Sequence, residues 1–84
     1  MKKNIRSDGG KMIKRDFHGY KLEVALREVE VIIGEVRQRG GIENAEFITG
    51  HGIIQKELFN LCKSYGLDTD INWVNAGVVD VTIE

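Results

Sequence analysis

The fold of this 84-residue chain is decided by residues 16–41, DFHGYKLEVALREVEVIIGEVRQRGG. Apolar residues recur there in steps of three and four, which is the period of a helix with one buried face. Charged residues fill the opposite face, and Gly40–Gly41 supply a C-terminal stop. The spacing therefore predicts a helix over Lys21–Arg39, with Gly34 as its weak point. The apolar stripe consists of Leu22, Ala25, Leu26, Val29, Ile32, Ile33 and Val36.

Short β-rich segments lie on both sides of this helix. Met12–Phe17 and Ala45–Thr49 are predicted as two strands, parallel and joined by a right-handed crossover through the helix. A second helix is predicted over Ile54–Tyr65, because apolar residues again recur at helical spacing and Gly66 follows. The two strands and the helix between them form a βαβ unit, which the second helix follows.

The end of the chain predicts a hairpin. Ile71–Val74 and Val78–Ile83 are rich in β-formers and are separated by the turn residues Asn75–Gly77. Trp73 is expected to pack in the core or on the sheet face. The order β-α-β-α-β-β then predicts a two-layer α/β sandwich with a mixed four-stranded sheet.

Composition is that of a single folded domain. Charged residues make up 30% and hydrophobic residues 42%, with no proline and a net charge of -1. The single cysteine, Cys62, excludes an intramolecular disulfide and is predicted to be a small buried hydrophobe. No secretory signal and no apolar run of roughly 20 residues is present, so the sequence predicts a cytoplasmic protein with no membrane contact.

Charge is distributed unevenly along the chain. Residues 1–15 hold six basic side chains and one acidic side chain, so the remainder holds six basic and twelve acidic side chains. Residues 1–11 are predicted to be a flexible basic arm, and residues 12–84 the folded domain.

Two loops are predicted to meet at one edge of the sheet. The carboxyl ends of parallel strands lie at the same edge, so Asp16–Gly19 and Thr49–Gly52 should be neighbours. Asp16 and His18 are two residues apart in an extended segment, and a carboxylate beside an imidazole can fix its tautomer. Glycine amides and the start of the following helix can cradle a phosphate. The same residues also fit a purely structural role, with His51 as an exposed loop residue.

Three short stretches resemble the motifs of the Smr (small MutS-related) domain family. Asp16-Phe17-His18-Gly19 resembles its Asp-Leu-His-Gly signature, and residues 47–52, FITGHG, resemble its second motif. Residues 76–83, AGVVDVTI, resemble its closing hairpin, so the resemblance runs from about Ile13 to Glu84. Departures include Thr49 at a position often held by His and Ile54 in place of a frequent third glycine.

The resemblance implies a fold like the C-terminal domain of translation initiation factor three and a nucleic-acid-binding domain that nicks RNA or DNA. By motif position the catalytic pair is Asp16 and His18, and in the mechanism we expect, His51 protonates the leaving oxygen or stabilises the phosphorane. The expected phosphate and backbone contacts come from Gly19, Thr49, Gly50, Gly52, Lys14, Arg15 and Lys56. No cofactor is required, and the expected partners are RNA or DNA, with the ribosome or a larger protein complex as further options.

Several alternatives stay open at the level of sequence. Asp16, His18 and His51 could form a metal site, with a divalent ion such as Mg²⁺ assisting cleavage. The domain could instead be a non-catalytic module that docks on nucleic acid, the ribosome or a protein, or a small-anion binder that uses only Gly50–Gly52. DNA against RNA, substrate preference and oligomeric state are not distinguished.

Overall fold

The structure, a computed structural model, describes residues 12–84. The predicted order of elements, β-α-β-α-β-β, is confirmed. The predicted basic arm, residues 1–11, lies outside the described residues. The elements are β1 Ile13–Asp16, α1 Leu22–Arg39, β2 Glu43–Ile48, α2 Ile53–Ser64, β3 Asp68–Ile71 and β4 Val78–Ile83.

The four strands form one mixed sheet in the order β1-β2-β4-β3. β1 and β2 are parallel, with Ile13 opposite Ala45, and β4 is antiparallel to both β2 and β3. The carboxyl ends of β1, β2 and β3 therefore lie at the same edge of the sheet. We call this the loop edge and define it by residues 17–21, 49–52 and 72–77.

Both helices cover one face of the sheet, which gives the predicted two-layer sandwich. The core contains Phe17 and Phe47, whose ring centroids are 5.6 Å apart. Leu22 and Leu26, at the start of the predicted stripe, are only partly buried against this core. The buried helical residues are Ala25, Val29, Ile32, Ile33 and Val36 of α1 and Ile54, Leu58 and Cys62 of α2.

The predicted position of the third strand is wrong. The strand runs over Asp68–Ile71 rather than Ile71–Val74, and it pairs antiparallel with β4 as expected. Thr69 faces the core and is 1% exposed, with its hydroxyl donating to the Leu67 carbonyl. The flanking aspartates alternate with Thr69 and therefore point to the opposite face of the sheet, which the helices do not cover.

The expectation that Trp73 packs in the core or on the sheet is also wrong. Its side chain is 94% exposed, because the residue lies in the loop that follows β3 and not in the strand itself. In the described part of the chain, neither helix is long and apolar enough to span a bilayer.

Candidate functional site at the loop edge

Three loops are joined by backbone hydrogen bonds at this edge. The Phe17 amide donates to the Ile48 carbonyl at 2.8 Å, which continues the β1–β2 ladder. The amides of Thr49 and Gly50 both donate to the Gly77 carbonyl, at 2.9 and 3.0 Å. The predicted proximity of Asp16–Gly19 to Thr49–Gly52 is confirmed. The third loop, residues 72–77, was not predicted to reach this edge.

Asp16 holds the backbone of the first loop. Its Oδ1 accepts a hydrogen bond from the His18 backbone amide at 2.9 Å, and the turn closes with a bond from the Tyr20 amide to the Phe17 carbonyl. Gly19 completes this turn at a φ of 84°. The expectation that Asp16 orients the His18 imidazole is therefore corrected, because the carboxylate binds the main chain instead. Both side chains are exposed.

The His18 ring lies against Gly50. A Cβ atom at Gly50 would come within 3.2 Å of His18 Cδ2, and Gly50 has a φ of 73°. Both the close contact and the left-handed backbone favour glycine at this position.

His51 lies against the third loop. A Cβ atom at Gly77 would be 3.6 Å from His51 Nε2 and 3.5 Å from the Gly50 Cα. His51 is exposed, so its ring lies at the surface where the second and third loops meet. The two histidines thus each contact the glycine of a neighbouring loop.

Thr49 has a structural environment. It is 4% exposed, and its hydroxyl is placed to donate to the carbonyls of Gly50, at 2.9 Å, and Gly77, at 3.3 Å. Its amide and that of Gly50 are also engaged. A phosphate-binding role for Thr49 stays a prediction. The backbone amides that remain available to a phosphate are those that follow Gly50.

The second helix begins without a side-chain cap. Gly52 is the N-cap residue, and no hydrogen bond from a capping side chain reaches the first turn of α2. Among residues 12–84, the backbone amides of residues 51–55 have no hydrogen-bond acceptor. Uncapped amides of this kind are the donors that bind anions at helix N-termini.

The three basic side chains predicted to contact a nucleic acid are not gathered at one place. Lys14 points to Glu46, with its Nζ 3.7 Å from the carboxylate Oε1. The Arg15 guanidinium donates to the Lys14 carbonyl, and Lys56 is exposed on α2.

Side-chain hydrogen bonds stabilise the third loop. Asn72 Oδ1 accepts hydrogen bonds from the amides of Val74 and Asn75, at 2.9 and 2.8 Å. Its Nδ2 donates to Asp80 Oδ2 at 3.0 Å, which ties the loop to β4. Asn75 Oδ1 accepts a bond from the Gly77 amide, and Gln55 of α2 donates to the Ala76 carbonyl.

The same loop presents apolar side chains to solvent. Trp73 is 94% and Val74 is 77% exposed, and Ile53, at the start of α2, is 57% exposed. We call these three residues the Trp73 surface. Sequence could have indicated the loop, because two asparagines and a glycine within six residues are typical of a side-chain-stabilised turn.

The remaining chemistry of the described residues is limited. Cys62 is fully buried, and burial raises the pKa of its thiol to about 12, so it is not a thiolate nucleophile in the folded protein. Within residues 12–84, no group of three or more His, Cys, Asp or Glu side chains is arranged to hold a metal ion. Asp16, His18 and His51 are not among such groups, and the use of a divalent ion at these residues stays a prediction.

The comparisons contradict the identification as an Smr domain. No family model matches the chain, and no curated protein matches it. The structural similarity is to a different class of protein, described below. The prediction of an Smr-type nuclease or nucleic-acid-binding domain is accordingly wrong. The catalytic residues were assigned on the assumption of a nucleic-acid substrate, so that assignment loses its basis.

A solved structure matches most of the chain. It is the crystal structure of the SirA-like protein from Desulfitobacterium hafniense, at a TM-score of 0.60 and 21% sequence identity. The alignment covers 86% of this chain and 95% of that protein. At this level of identity the match establishes a shared architecture, and the chain is similar in fold to a SirA-like protein.

Proposed function

We propose that this chain is a protein-docking module whose anchor is Trp73, and that the indole enters an apolar pocket of a protein partner. The exposure of Trp73, 94%, carries the proposal. Burial of an indole removes up to ~250 Å² from water, which at ~25 cal/mol per Å² is a gross gain of about 6 kcal/mol. Tryptophan is also among the residues most enriched in the energetic centres of protein interfaces.

The rigidity of the loop supports this function. Asn72 and Asn75 hold the backbone on both sides of Val74 with side-chain hydrogen bonds, and Gln55 fixes Ala76. A loop that is already ordered loses little entropy on binding, so more of the gross gain appears as affinity. A tryptophan on a loop without such hydrogen bonds would lose more entropy on binding.

The residues around Trp73 indicate what kind of partner this surface binds. Val74 and Ile53 are further exposed apolar side chains at the loop edge or next to it, and His51 and Asn75 are exposed polar side chains of the same loops. This is the arrangement of an interface with an apolar centre and a polar boundary. The partner is a protein, in a larger complex, with a pocket that accepts the indole. A lone buried cysteine fits a reducing compartment, so we place the module in the cytoplasm.

A photo-crosslinking experiment tests this proposal. A photoreactive aromatic residue replaces Trp73 in one variant and Ile42 in a matched variant, and both are irradiated in cells. Ile42 is 62% exposed and precedes β2, at the opposite edge of the sheet. We expect one partner to be captured at position 73 and not at position 42.

The captured partner is then purified and its affinity is measured. Trp73→Ala should weaken binding at least about 30-fold, corresponding to ~2 kcal/mol, and Ile42→Ala should leave it unchanged. Trp73 is the only tryptophan, so its emission should shift to the blue on binding. Equal capture at both positions, no capture at either, or unchanged affinity of Trp73→Ala would each contradict the proposal.

A second candidate function is the binding of a small phosphate-class anion. It is favoured by the uncapped amides of residues 51–55 beside His51, with His18 at the same edge. Titration of the isotope-labelled protein with inorganic phosphate should shift the amide signals of Gly52 and Ile53 and the ring signals of His51. His51→Ala should weaken this response several-fold, whereas Lys63→Ala, at the far end of α2, should not. Uniform small shifts across the chain would exclude the site.

A further inference from the structure

The outer edge of β3 carries backbone groups that the sheet does not use. β3 ends the strand order, and β4 is its neighbour in the described sheet. The Asn72 amide donates to the Val78 carbonyl at 2.9 Å, so these two residues form a hydrogen-bonded pair at the end of the β3–β4 ladder. Because bonded and non-bonded pairs alternate in an antiparallel ladder, Thr69 and Ile71 direct their amide and carbonyl groups away from β4.

This edge is accessible at one end. Thr69 is 1% exposed, so its backbone groups are covered, whereas Ile71 is 39% exposed. Ile71 is the last residue of β3 and comes two residues before Trp73. The accessible part of the edge is therefore continuous along the chain with the Trp73 surface.

The side chains at this edge differ between the two faces of the sheet. Ile71 lies opposite Val79, on the face that the helices cover, and adds apolar area next to the third loop. Asp70 lies opposite Asp80 on the uncovered face, and Asp68 is two residues earlier on the same face. Asp68 and Asp70 are both exposed, and within the described chain neither forms an ion pair. An incoming strand would meet an apolar side chain on one face and uncompensated carboxylates on the other.

We infer that the partner docks through an extended segment that pairs with β3 at Ile71, and that apolar residues alternate with lysine or arginine in this segment. The inference rests on the docking function proposed above and names the part of the partner that lies beside the indole. The main chain of the segment bonds to the Ile71 amide and carbonyl, which is strand addition to a free sheet edge. Its basic residue faces Asp70, because opposite charges on neighbouring strands are favourable.

The charges favour such a segment over a second copy of this chain. Two β3 strands paired along their free edges would bring Asp70 of one copy close to Asp70 of the other, and like charges on neighbouring strands are unfavourable. The other edge strand, β1, is less suited to an alternating apolar segment. Its three exposed residues are all charged, and the Arg15 guanidinium already bonds to the Lys14 carbonyl.

Two synthetic peptides test the inference on the full chain. One is acetyl-Lys-Val-Lys-Val-Lys-amide, and the other has glutamate in place of each lysine. In the isotope-labelled protein, the lysine peptide should shift the amide signal of Ile71 and slow its hydrogen exchange several-fold, and the glutamate peptide should do neither. The control is the Asp16 amide, which faces the free edge of β1 because the next amide, that of Phe17, bonds to β2. It should not respond to either peptide.

Variants of the protein check the charge contact and the backbone contact separately. Asp70→Lys should weaken binding of the lysine peptide at least about fivefold, and Glu28→Lys, the same change of charge on an exposed position of α1, should leave it unchanged. Replacement of the Ile71 amide by an ester keeps the side chain and removes the donor, so it should weaken binding at least about threefold. The same replacement at Ile42 is the matched control. Circular dichroism confirms that each protein folds.

The inference and the docking function can fail separately. Equal responses to the two peptides, no slowing of exchange at Ile71, or an equal response at Asp16 would each overturn the inference. With the purified partner, an unprotected Ile71 amide together with a large effect of Trp73→Ala would overturn the inference and leave the docking function standing. An Ile71 amide that the partner protects, with unchanged affinity of Trp73→Ala, would support pairing at the edge and contradict the indole as the anchor.

Discussion

His18 and Gly50 are in close contact across two loops: a Cβ atom at Gly50 would lie 3.2 Å from His18 Cδ2. The contact joins the loop after β1 to the loop after β2. It also gives Gly50 two independent reasons to be glycine, because its φ is 73°.

Replacement of Gly50 by alanine should therefore lower the free energy of unfolding. We expect a loss of about 1–3 kcal/mol from left-handed backbone strain and from the contact with His18. Chemical denaturation measures it. Gly41→Ala is the control, since Gly41 has no positive φ and nothing near its Cβ position, and it should change stability little. The double variant His18→Ala, Gly50→Ala should recover the steric part, and strict additivity would contradict the contact.

Asn72 should determine the order of the Trp73 loop. Asn72→Ala removes two bonds to the amides of Val74 and Asn75 and one to Asp80, which should cost about 1–3 kcal/mol. Hydrogen exchange at Val74 and Asn75 should accelerate at least tenfold. Asn60→Ala, at an exposed position of α2, should leave both amides unchanged. Unaltered exchange in Asn72→Ala would mean that the loop is held by other contacts.

Cys62 should make the protein less stable at alkaline pH. Burial raises the pKa of its thiol from 9.0 to about 12, so the folded state keeps a proton that the unfolded state releases above pH 9. The stabilising contribution is complete below pH 9 and falls by about 1.4 kcal/mol per pH unit as the pH rises from there towards 12.

The comparison is between the wild type and Cys62→Ala. The variant is less stable overall, but its unfolding free energy should fall less steeply between pH 9 and 10.5. Tyr65, whose pKa is raised by its hydrogen bond with Glu30, is common to both proteins and cancels in the difference. Parallel curves for the two proteins would show that the thiol is not shielded.

Gly34 should be replaceable with a gain in stability. It lies in the middle of α1, is exposed, and has nothing near its Cβ position, so Gly34→Ala should stabilise the protein by up to ~1 kcal/mol. Gly40→Ala is the opposite control. Gly40 ends the helix with a φ of 75°, so a side chain there is strained and the protein should be destabilised. Thermal unfolding of the two variants should move the midpoint in opposite directions.

The secondary structure could be predicted where periodicity was strong. α1 has a stripe of apolar residues long enough to be unambiguous, and β4 alternates over its last five residues. β3 could not be placed, because Asp68 and Asp70 resemble loop residues, and they are compatible with a strand here because they point to the sheet face that the helices leave uncovered. The strand was therefore assigned to the next apolar run, which contains Trp73.

Because β3 was predicted too late in the chain, the loop that follows it was not recognised as one of the three loops of the loop edge. The meeting of the loops after β1 and β2 follows from the parallel βαβ rule and was predicted. The loop after β3 reaches the same edge, but it was hidden within a supposed strand and a short turn. The asparagines of this loop are typical of a side-chain-stabilised turn, but the bond from Asn72 to Asp80 could not be predicted without the position of β4.

The motif resemblance has a local explanation. Asp16 accepts a bond from the His18 amide, Gly19 and Gly50 have positive φ, and the Thr49 hydroxyl bonds to nearby carbonyls. Each residue is thus suited to the turn it occupies. The same residue types can therefore recur wherever parallel strands end in such turns. Short motifs of this kind indicate turn geometry more directly than they indicate catalysis.

The Gly77 carbonyl accepts hydrogen bonds from the amides of Thr49 and Gly50, and the Thr49 hydroxyl lies within bonding distance. If the Trp73 loop opens, these donors lose their acceptor together, and the loop that carries His51 is released at the same time. The two loops should therefore open as one cooperative unit, with a common free energy in native-state hydrogen exchange. A partner that immobilises Trp73 would then slow the hydrogen exchange of the Thr49 and Gly50 amides without contacting them. Binding at one loop could therefore be detected at the other.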